Sequence, residues 1–347
     1  MSNMAVSIII PVKDQIQYLQ NLLKTIRQHA PADIPYEVIV VDDGSQPPLQ
    51  SDALPLPCRI IRIETSGGPA AARNCGAQAA CGTILFFMDA DVEYAPGVIQ
   101  KICTTLEEHP DAAALSFINQ SFTKGDSFIR SYGALIERFW FNAMLGNSGD
   151  VGNILGVTSR NGAVRKTAFQ AVGGFDDRFK TNAHEDYDFG KRLSAVYPVL
   201  LTRTPTIYHR FPDRLMRLLR NYWVRASLFV PYYIQKRPAL DKAQSSPQEA
   251  LLRMLAAAVP PLVVLGFLPV PLGSMALGAA ALALVLYAWG ARRFIVAAAA
   301  ESASVGFAAK ALAVHYLTSL VITAGGIWGL FRYVTSSNPE NHADAAS

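Results

Sequence analysis

The sequence predicts an α/β domain with a mostly parallel sheet, followed by a basic amphipathic helix and about three membrane-spanning helices. Two observations carry this prediction. In the N-terminal part, short and almost continuously apolar runs alternate with helical patterns, which is typical of strands buried on both faces of a sheet. Further on, no Asp, Glu, Lys or Arg occurs between Met254 and Ala291. The N-terminal part is therefore predicted to be soluble, and the C-terminal part to enter lipid.

The predicted sheet begins with β-branched apolar runs and is joined by helices with apolar residues at helical spacing. Four strands and one intervening Ala-rich helix are clearest, namely the strands Val6–Val12, Tyr36–Val41, Cys58–Glu64 and Thr83–Met88 and the helix Ala70–Ala80. Beyond residue 110 the pattern is looser: it predicts strands at 113–119, 199–202 and 207–209 and helices at 127–145, 166–172 and 185–195.

A basic amphipathic helix is predicted at Arg214–Gln235, with leucines and aromatic residues on one face and Arg214, Arg217 and Arg225 opposite. Because apolar segments follow directly, we expect this helix to lie among the headgroups of an anionic membrane leaflet. An ordinary surface helix packed on the core is the alternative.

Three segments, at about Leu251–Leu272, Ser274–Gly290 and Ala308–Phe331, approach the roughly 20 residues needed to cross a membrane. The first holds several prolines, so a re-entrant hairpin for the first two is an alternative. The expected organisation is a soluble domain at 1–212, the amphipathic helix and a linker at 213–250, a membrane region at 251–332 and a polar tail at 333–347. The absence of a signal-peptide pattern and the position of Arg292 and Arg293 predict a multi-pass inner-membrane protein whose soluble domain faces the cytosol.

Composition excludes some functions. A net charge of +4 is small and argues against nucleic acid as the main partner. The four cysteines, Cys58, Cys75, Cys81 and Cys103, show no CxxC spacing, so we expect free thiols in a reducing compartment instead of a zinc finger.

Acidic residues follow two of the predicted strands, where open α/β sheets bind their ligands. Asp42 and Asp43 end one strand, and Asp89 and Asp91 follow another in the triplet Asp-Ala-Asp. Like charges brought together are unfavourable without a cation, and Mg²⁺ or Mn²⁺ takes oxygen ligands while bridging to a diphosphate. Each cluster alone is common in turns; together they predict a metal-assisted phosphate site.

Two further segments contain chemistry of the same kind. Gly67 and Gly68 open the Ala-rich helix, whose N-terminus favours anions, and Arg73 adds a positive charge. The run His184-Glu185-Asp186-Tyr187-Asp188 places acids at a helix start, where they either complement the helix dipole or provide a general base.

Five stretches in order carry a resemblance to the family 2 inverting glycosyltransferases, which have the GT-A fold. They are VSIIIPVKD, VIVVDDGS, GGPAAARNCGAQAACGTILFFMDADV, VGGFDDRF and HEDYDFGKRL, spanning residues 6–193. The resemblance implies a hexosyltransferase that uses a UDP- or GDP-linked sugar and Mg²⁺ or Mn²⁺. It also implies roles for individual residues: Pro11, Val12, Asp14, Asp42, Asp43, Arg73 and Asp89 bind the nucleotide-sugar; Asp91, Asp89 and His209 bind the metal; Gly174, Phe175 and Asp176 shape the acceptor side; and Asp186, with Glu185 as its rival, is the general base.

The implied reaction is a single displacement in which Asp186 accepts the acceptor's proton and the sugar configuration inverts. Processive members of the family carry a QxxRW motif, whereas the nearest string here is RLLRNYW, Arg217–Trp223. We therefore expect transfer of one sugar, to a lipid-linked or other membrane-associated acceptor.

Two alternatives are weighed against this interpretation. A sugar-phosphate nucleotidylyltransferase would carry a basic glycine-rich loop after the first strand, where this chain has IPVKDQ. A non-catalytic module that binds sugar nucleotides or scaffolds a membrane glycan-assembly complex would not need the acids at Asp89, Asp91 and Asp186.

Overall fold

The computed structural model describes residues 5–120, 126–179, 184–236 and 246–335. These residues form two compact units. The sheet unit contains the described residues up to 120 and those from 145 to 210. The helical unit contains residues 126–144 and the described residues from 211 to 335.

The described residues contain nine strands and eleven α-helices, numbered here in chain order. They are β1 (Val6–Val12), α1 (Ile16–His29), β2 (Tyr36–Asp43), β3 (Arg59–Ile63), α2 (Pro69–Ala79), β4 (Ile84–Met88), β5 (Val92–Tyr94), α3 (Val98–Glu108), β6 (Ala114–Asn119), α4 (Phe128–Leu145), β7 (Val151–Asn153), β8 (Asn161–Arg165), α5 (Lys166–Ala171), α6 (Glu185–Ser194), β9 (Val199–His209), α7 (Leu215–Lys236), α8 (Pro247–Leu265), α9 (Leu272–Gly290), α10 (Arg292–Ser302) and α11 (Val305–Thr335).

The strands of the sheet unit form one mixed sheet in the order β3-β2-β1-β4-β8-β6-β9-β5, with β7 paired to β9. Its first four strands are parallel, as predicted from their apolar runs. Ile8, Ile9 and Ile10, which point alternately to the two faces of the sheet, are all fully buried, and this explains why both faces of β1 are apolar. The α/β class is therefore confirmed.

The other half of the sheet differs from the expected parallel arrangement. β8 is antiparallel to β4 and β6, and β5 and β7 are antiparallel to β9. The β6–β9 pairing is parallel. The two short strands expected at 199–202 and 207–209 are the ends of the single strand β9. Strands β5, β7 and β8 had no clear sequence signal, because all three are short and β8 contains Asn161 and Gly162. Helix α3 was not predicted, although Val98, Ile102 and Leu106 recur at helical spacing.

Helix α2 packs unusually close to the parallel strands. A Cβ added to Gly76 would lie 2.5 Å from Cγ2 of Ile9 and 3.2 Å from Cγ2 of Val41. Gly68, with φ of 86°, precedes the helix in a conformation that L side chains rarely adopt. The two glycines therefore set how near α2 comes to β1 and β2, and thus where Arg73 and Asn74 lie.

In the helical unit, three helices are long and apolar enough to cross a membrane: α8, α9 and α11. They correspond to the three apolar segments predicted from the sequence. Large apolar side chains remain exposed around the turn between α8 and α9, with Phe267 88% and Val270 83% exposed. Such exposure is expected of a surface that faces lipid.

Helix α4, which precedes β7 of the sheet unit in the chain, belongs to the helical unit. Tyr132 is fully buried, and its hydroxyl lies 3.3 Å from the Thr318 hydroxyl of α11. Nε of Arg138 forms an ion pair with Glu301 of α10 at 3.2 Å. The sequence-based boundary at residue 212 placed this helix with the sheet, and the compact units divide the chain differently.

The amphipathic helix α7 packs along α11. A Cβ on Gly325 would lie 2.9 Å from the carbonyl oxygen of Trp223, and one on Gly329 would lie 2.2 Å from that of Ser227. Small residues of this kind allow two helix backbones to approach closely. The face carrying Arg214 and Arg225 stays exposed. Its contact with a membrane leaflet stays a prediction, as do the boundary at 250 and the tail at 333–347, most of which lies outside the described residues.

Candidate active site

The predicted site residues gather at one edge of the sheet. β1, β2 and β4 are parallel, and β9 runs in the same direction because β8 is antiparallel to both β4 and β6 while β6 is parallel to β9. The residues that end these strands therefore share the carboxyl edge. They are Val12, Asp42 and Asp43, Asp89, and His209. This is the edge where open α/β sheets bind ligands.

Asp42 organises the loop that follows β2. The side chain is 1% exposed; Oδ1 accepts a hydrogen bond from the Ser45 amide, and Oδ2 accepts one from the Leu49 amide. Arg62 Nη1 lies 2.7 Å from Oδ2. Burial alone would raise the pKa of Asp42, but these hydrogen bonds lower it below its usual value. The Asp42 carboxylate is thus ionised, and its charge is stabilised by protein groups, namely two main-chain amides and Arg62.

Asp43 binds the turn that begins helix α2. Its carboxylate accepts hydrogen bonds from the Ser66 hydroxyl at 2.8 Å and from the amides of Gly67 and Gly68 at 2.8 and 3.0 Å. The glycine-rich turn, expected to bind an anion, is therefore already held by a carboxylate of the chain. Asp43 is 5% exposed.

The loop after β1 joins the same wall of the site. Pro11 is half-buried and Val12 is buried, whereas Asp14 is exposed and has φ of 55°. The amide of Asp14 donates to the Ser45 hydroxyl, and its carboxylate accepts from the Gln46 amide. The loops after β1 and β2 are thereby bound together, and their role in binding the base and ribose stays a prediction.

Arg73 of α2 lies at the centre of the acidic residues. Its side chain is 2% exposed and bridges two carboxylates, with Nη2 2.6 Å from Asp89 Oδ1 and Nη1 3.0 Å from Glu185 Oε1. The guanidinium also lies 5.6 Å from the ring centre of Phe175. Burial alone would lower the pKa of Arg73, but the charges of Asp89 and Glu185 raise it instead. This contact joins the Asp-Ala-Asp triplet to the start of α6.

The two candidate bases occupy different environments. Glu185 is 3% exposed and paired with Arg73, whereas Asp186 is half-buried. Burial, together with the charge of Asp186, raises the pKa of Glu185 to about 7, although Arg73 acts in the opposite direction. Asp186 is therefore the more exposed of the two carboxylates, and its role as the general base stays a prediction.

Asp91 and His209 are neighbours across the β5–β9 pairing, in which Val92 lies opposite His209. Nε2 of His209 is 3.8 Å from Oδ2 of Asp91. Burial would raise the pKa of Asp91, but His209 and Arg160 lower it. The main chain of Arg160 also accepts the Asp89 amide at 3.3 Å. The Asp91 carboxylate is thus ionised and 35% exposed.

This donor set fits a hard divalent cation. Two donors 3.8 Å apart can both reach one ion at ligand distances of roughly 2.1 Å, and such ions usually complete their shells with waters and substrate phosphates. Over the described ranges, no group of three His, Cys, Asp or Glu side chains is arranged to hold a metal by itself. Oδ1 of Asp89 is engaged by Arg73, so its predicted role as a ligand would fall to Oδ2 or to a bound water.

The loop expected on the acceptor side lies against α2 and α6. Phe175 packs its ring against Phe87 and Phe189, and Arg192 of α6 donates to the carbonyl oxygen of Gly174 at 2.8 Å. Asp176 forms a bidentate pair with Arg178, with a closest separation of 2.7 Å. Phe175 of this loop is thus close to Arg73, and the acceptor-side role of Gly174, Phe175 and Asp176 stays a prediction.

Three residues of the site were missed by the sequence analysis. Asn74 binds the main chain of Phe175, Arg192 binds that of Gly174, and Arg160 lies beside Asp91. Asn74 and Arg192 lie within stretches that carried the family resemblance. The available signal was their position in sequence: Asn74 follows Arg73, and Arg192 lies one helical turn after Asp188. Arg160 lies in a turn-like sequence, and only the antiparallel pairing of Met88 with Asn161 brings it to the triplet.

A comparison with protein families identifies the N-terminal half of the chain, which contains most of the sheet unit. The family described as Glycosyl transferase family 2 matches residues 7–173. This region is a family 2 glycosyltransferase domain. The glycosyltransferase domain contains both acidic strand ends and the glycine-rich start of α2, and the matched region stops just before Gly174 and the helix with Glu185 and Asp186.

Curated relatives agree with this assignment. An uncharacterized glycosyltransferase of Haemophilus influenzae is 27% identical over 194 residues, 54% of this chain and 61% of its own length. The uncharacterized glycosyltransferase YwdF of Bacillus subtilis is 27% identical over 216 residues, 60% of this chain and 75% of its own length. The chain thus spans less than two thirds of the former protein.

Among solved structures, the mannosyltransferase PcManGT of Pyrobaculum calidifontis, in complex with GDP-Man and Mn²⁺, shares the fold. The superposition has a TM-score of 0.55 at 18% sequence identity and covers 97% of this chain and 89% of that one. The glycosyltransferase domain accordingly has the predicted GT-A fold, followed by C-terminal helices.

Proposed function

We propose that this protein transfers a single sugar from a nucleotide-sugar to a hydroxyl or phosphate acceptor, with inversion and with the help of a divalent cation. The acceptor is lipid-linked or otherwise associated with the membrane. The observation that carries the proposal is the bridge from Asp89 through Arg73 to Glu185, which connects the Asp-Ala-Asp triplet to the start of α6, where half-buried Asp186 follows Glu185.

The contacts support different roles for the acidic residues of the site. Glu185 and Asp89 hold Arg73 in a buried position, and an Arg enclosed in this way provides a fixed positive field near the departing diphosphate. Asp42 and Asp43 hold the loops around the nucleotide and leave Asp14, Pro11 and Val12 to line its pocket. Asp186 remains accessible as the base.

The reaction follows from these positions. Asp186 accepts the proton of the acceptor hydroxyl as the acceptor oxygen forms a bond to the anomeric carbon. The bond between that carbon and the diphosphate oxygen breaks in the same step, and the nucleoside diphosphate leaves with the electron pair. Attack on the face opposite the leaving group inverts the configuration of the sugar, and no covalent intermediate with the enzyme is required.

Asp91 and His209, with Asp89 nearby, would hold Mg²⁺ or Mn²⁺. When bound, the cation neutralises charge on the diphosphate and makes it a better leaving group. PcManGT, which shares the fold, was solved with Mn²⁺ and GDP-Man, and this supports a GDP-linked hexose as the donor. A UDP-linked hexose, which the family resemblance also implies, is the alternative.

Three apolar helices and the exposed arginines of α7 support a membrane location, and we place the protein in the inner membrane with its glycosyltransferase domain in the cytosol. The string RLLRNYW in α7 differs from the motif of processive enzymes, which supports transfer of one sugar.

Release of nucleoside diphosphate by the purified full-length protein tests the proposal. GDP-mannose, UDP-glucose and UDP-N-acetylglucosamine are each supplied with a membrane lipid extract, with Mn²⁺ or with EDTA. We expect release from one donor, dependent on Mn²⁺ and lost in Asp91→Ala. Turnover that survives both EDTA and Asp91→Ala would contradict the cation's role. Absence of turnover with every donor, in the presence of tight nucleotide binding, would favour the scaffold alternative.

A further inference from the structure

The loop at residues 173–176 is tied to helix α2 by the side chain of Asn74. We infer that Asn74 is a positioning residue that fixes the acceptor-side loop against the donor-binding helix, an inference that rests on the proposed glycosyl transfer. The structural basis is a reciprocal pair of hydrogen bonds between one side-chain amide and the main chain of one residue, Phe175.

The pair uses both ends of the amide. Nδ2 of Asn74 donates to the carbonyl oxygen of Phe175 at 2.8 Å, and Oδ1 accepts from the Phe175 amide at 3.0 Å. Only a side chain that both donates and accepts can satisfy both main-chain groups of one residue in this way, and Asn reaches them with a short stem. The loop is therefore held in one register relative to α2.

The contact is close as well as reciprocal. Gly174 has φ of 67°, and a Cβ added to it would lie 2.8 Å from Oδ1 of Asn74 and 3.0 Å from the ring of Phe169. The absence of a side chain at Gly174 therefore lets the loop backbone lie directly against Asn74. This approach explains Gly174, whereas Gly173, where a Cβ would meet no atom within 4 Å, is explained by its φ of 80°.

Adjacent residues of α2 thus serve the two sides of the site. Arg73 binds Asp89 of the Asp-Ala-Asp triplet, and Asn74 binds the loop that carries Phe175 and Asp176. Arg192 and the ring of Phe189 hold the same loop to α6. Because both sides are held to helix α2, their relative position is fixed. A displacement of about 1 Å between reacting groups would slow the reaction substantially.

The inference predicts a selective defect in acceptor use. Asn74→Ala removes both hydrogen bonds, and Asn74→Asp keeps an acceptor for the Phe175 amide but places a second acceptor against the Phe175 carbonyl. With either variant we expect the KM for the acceptor to rise about tenfold or more, as expected for a misplaced acceptor. Binding of the product nucleotide should change by less than about twofold, since Arg73 and Asp89 keep their contacts.

The experiment uses the full-length protein, the donor that supports wild-type turnover and a titrated membrane lipid extract as the acceptor. Binding of GDP and UDP with Mn²⁺ is measured by calorimetry, and folding by thermal unfolding. Ser7→Ala is the matched control: buried Ser7 donates to Glu37 and accepts from the Gly82 amide at the amino edge of the sheet. It should lose a comparable amount of stability and keep the acceptor KM.

The outcomes separate this inference from the proposed function. A wild-type protein that releases no nucleoside diphosphate overturns the proposed function and the role of Asn74 with it. An active wild type with an unchanged acceptor KM in folded Asn74→Ala overturns the inference alone. A rise in acceptor KM that Ser7→Ala shares, or that accompanies an equal loss of nucleotide affinity, also overturns it and assigns Asn74 a merely structural role.

Discussion

The guanidinium of Arg73 lies 2.6 Å from the carboxylate of Asp89 and is almost completely buried. Its second carboxylate partner, Glu185, belongs to a helix far along the chain. A buried charge needs such partners, because desolvation would otherwise be severe. The Arg73–Asp89 pair therefore defines the centre of the site and connects its donor-side acids to its candidate base.

We expect Arg73→Lys to reduce turnover by about 100-fold or more, since an ammonium cannot bridge two carboxylates as a guanidinium does. The variant should also unfold at a lower temperature, because buried carboxylates lose a partner. Turnover and thermal unfolding measure the two effects. Arg62→Lys is the control, since Arg62 pairs with Asp42 but keeps 22% exposure. Equal turnover in Arg73→Lys and wild type would refute the central role of Arg73.

Asp186→Asn should reduce the rate of transfer by a factor of about 10² to 10⁴, because no base then accepts the proton of the acceptor hydroxyl. Nucleotide binding should persist, since the donor-side contacts are untouched. The assays are steady-state turnover and calorimetric binding of GDP and UDP. Asp111→Asn, at an exposed acid just before β6 and thus at the amino edge, should retain full turnover. Transfer at the wild-type rate in Asp186→Asn would leave Glu185 as the candidate base.

The raised pKa of Glu185, about 7, predicts a pH-dependent stability. The folded protein holds this proton between the ordinary pKa of 4.5 and about 7, where the unfolded chain has released it. Stability contributed by Glu185 is therefore greatest at low pH and is lost as pH rises through this window, by on the order of 3 kcal/mol.

Glu185→Gln removes that titration, so its melting temperature should depend less on pH between 5 and 8 than that of the wild type. Melting curves of both proteins across this range make the comparison, and effects of groups remote from Glu185 cancel between them. Parallel curves would show that Glu185 is ionised throughout, with Arg73 outweighing burial.

Packing of α7 on α11 predicts different outcomes for two glycines of the helical unit. Gly329→Ala would place a Cβ 2.2 Å from the Ser227 carbonyl oxygen and should destabilise the protein by about 1–3 kcal/mol. Gly278→Ala, in α9, meets no atom within 4 Å and should be neutral. Thermal unfolding and limited proteolysis in detergent measure the difference. Equal behaviour of the two variants would argue against close packing at Gly329.

Much of the parallel half of the fold could be predicted from local pattern. Runs such as Ile84–Met88 are apolar on both faces, and the acids that follow them are at strand ends by position alone. The antiparallel half could not be predicted in this way, because periodicity indicates which face of a strand is buried but not which strand lies next to it. The pairing of Met88 with Asn161 depends on a long-range contact that no local signal records.

The site shows a similar division. Asp89, Asp91 and Asp186 were predicted from motifs, and in the structure Arg73 connects the triplet to the start of α6. The burial of Arg73 was not predictable, because a long cation is ordinarily exposed and only tertiary structure supplies its two carboxylates. Asp42 was expected at the ligand, but its oxygens accept hydrogen bonds from Ser45 and Leu49, so its part in base recognition stays a prediction.

Helix α4 affects how the protein can be divided for experiments. Its residues lie between β6 and β7 in the chain, yet Tyr132 and Arg138 bind α11 and α10. A chain truncated after residue 212 would keep α4 but lose both of these partner helices, leaving the fully buried Tyr132 face open to solvent and prone to aggregation. A soluble version of the glycosyltransferase domain would instead need two cuts, one that removes the C-terminal helices and one that replaces α4 with a short polar connection.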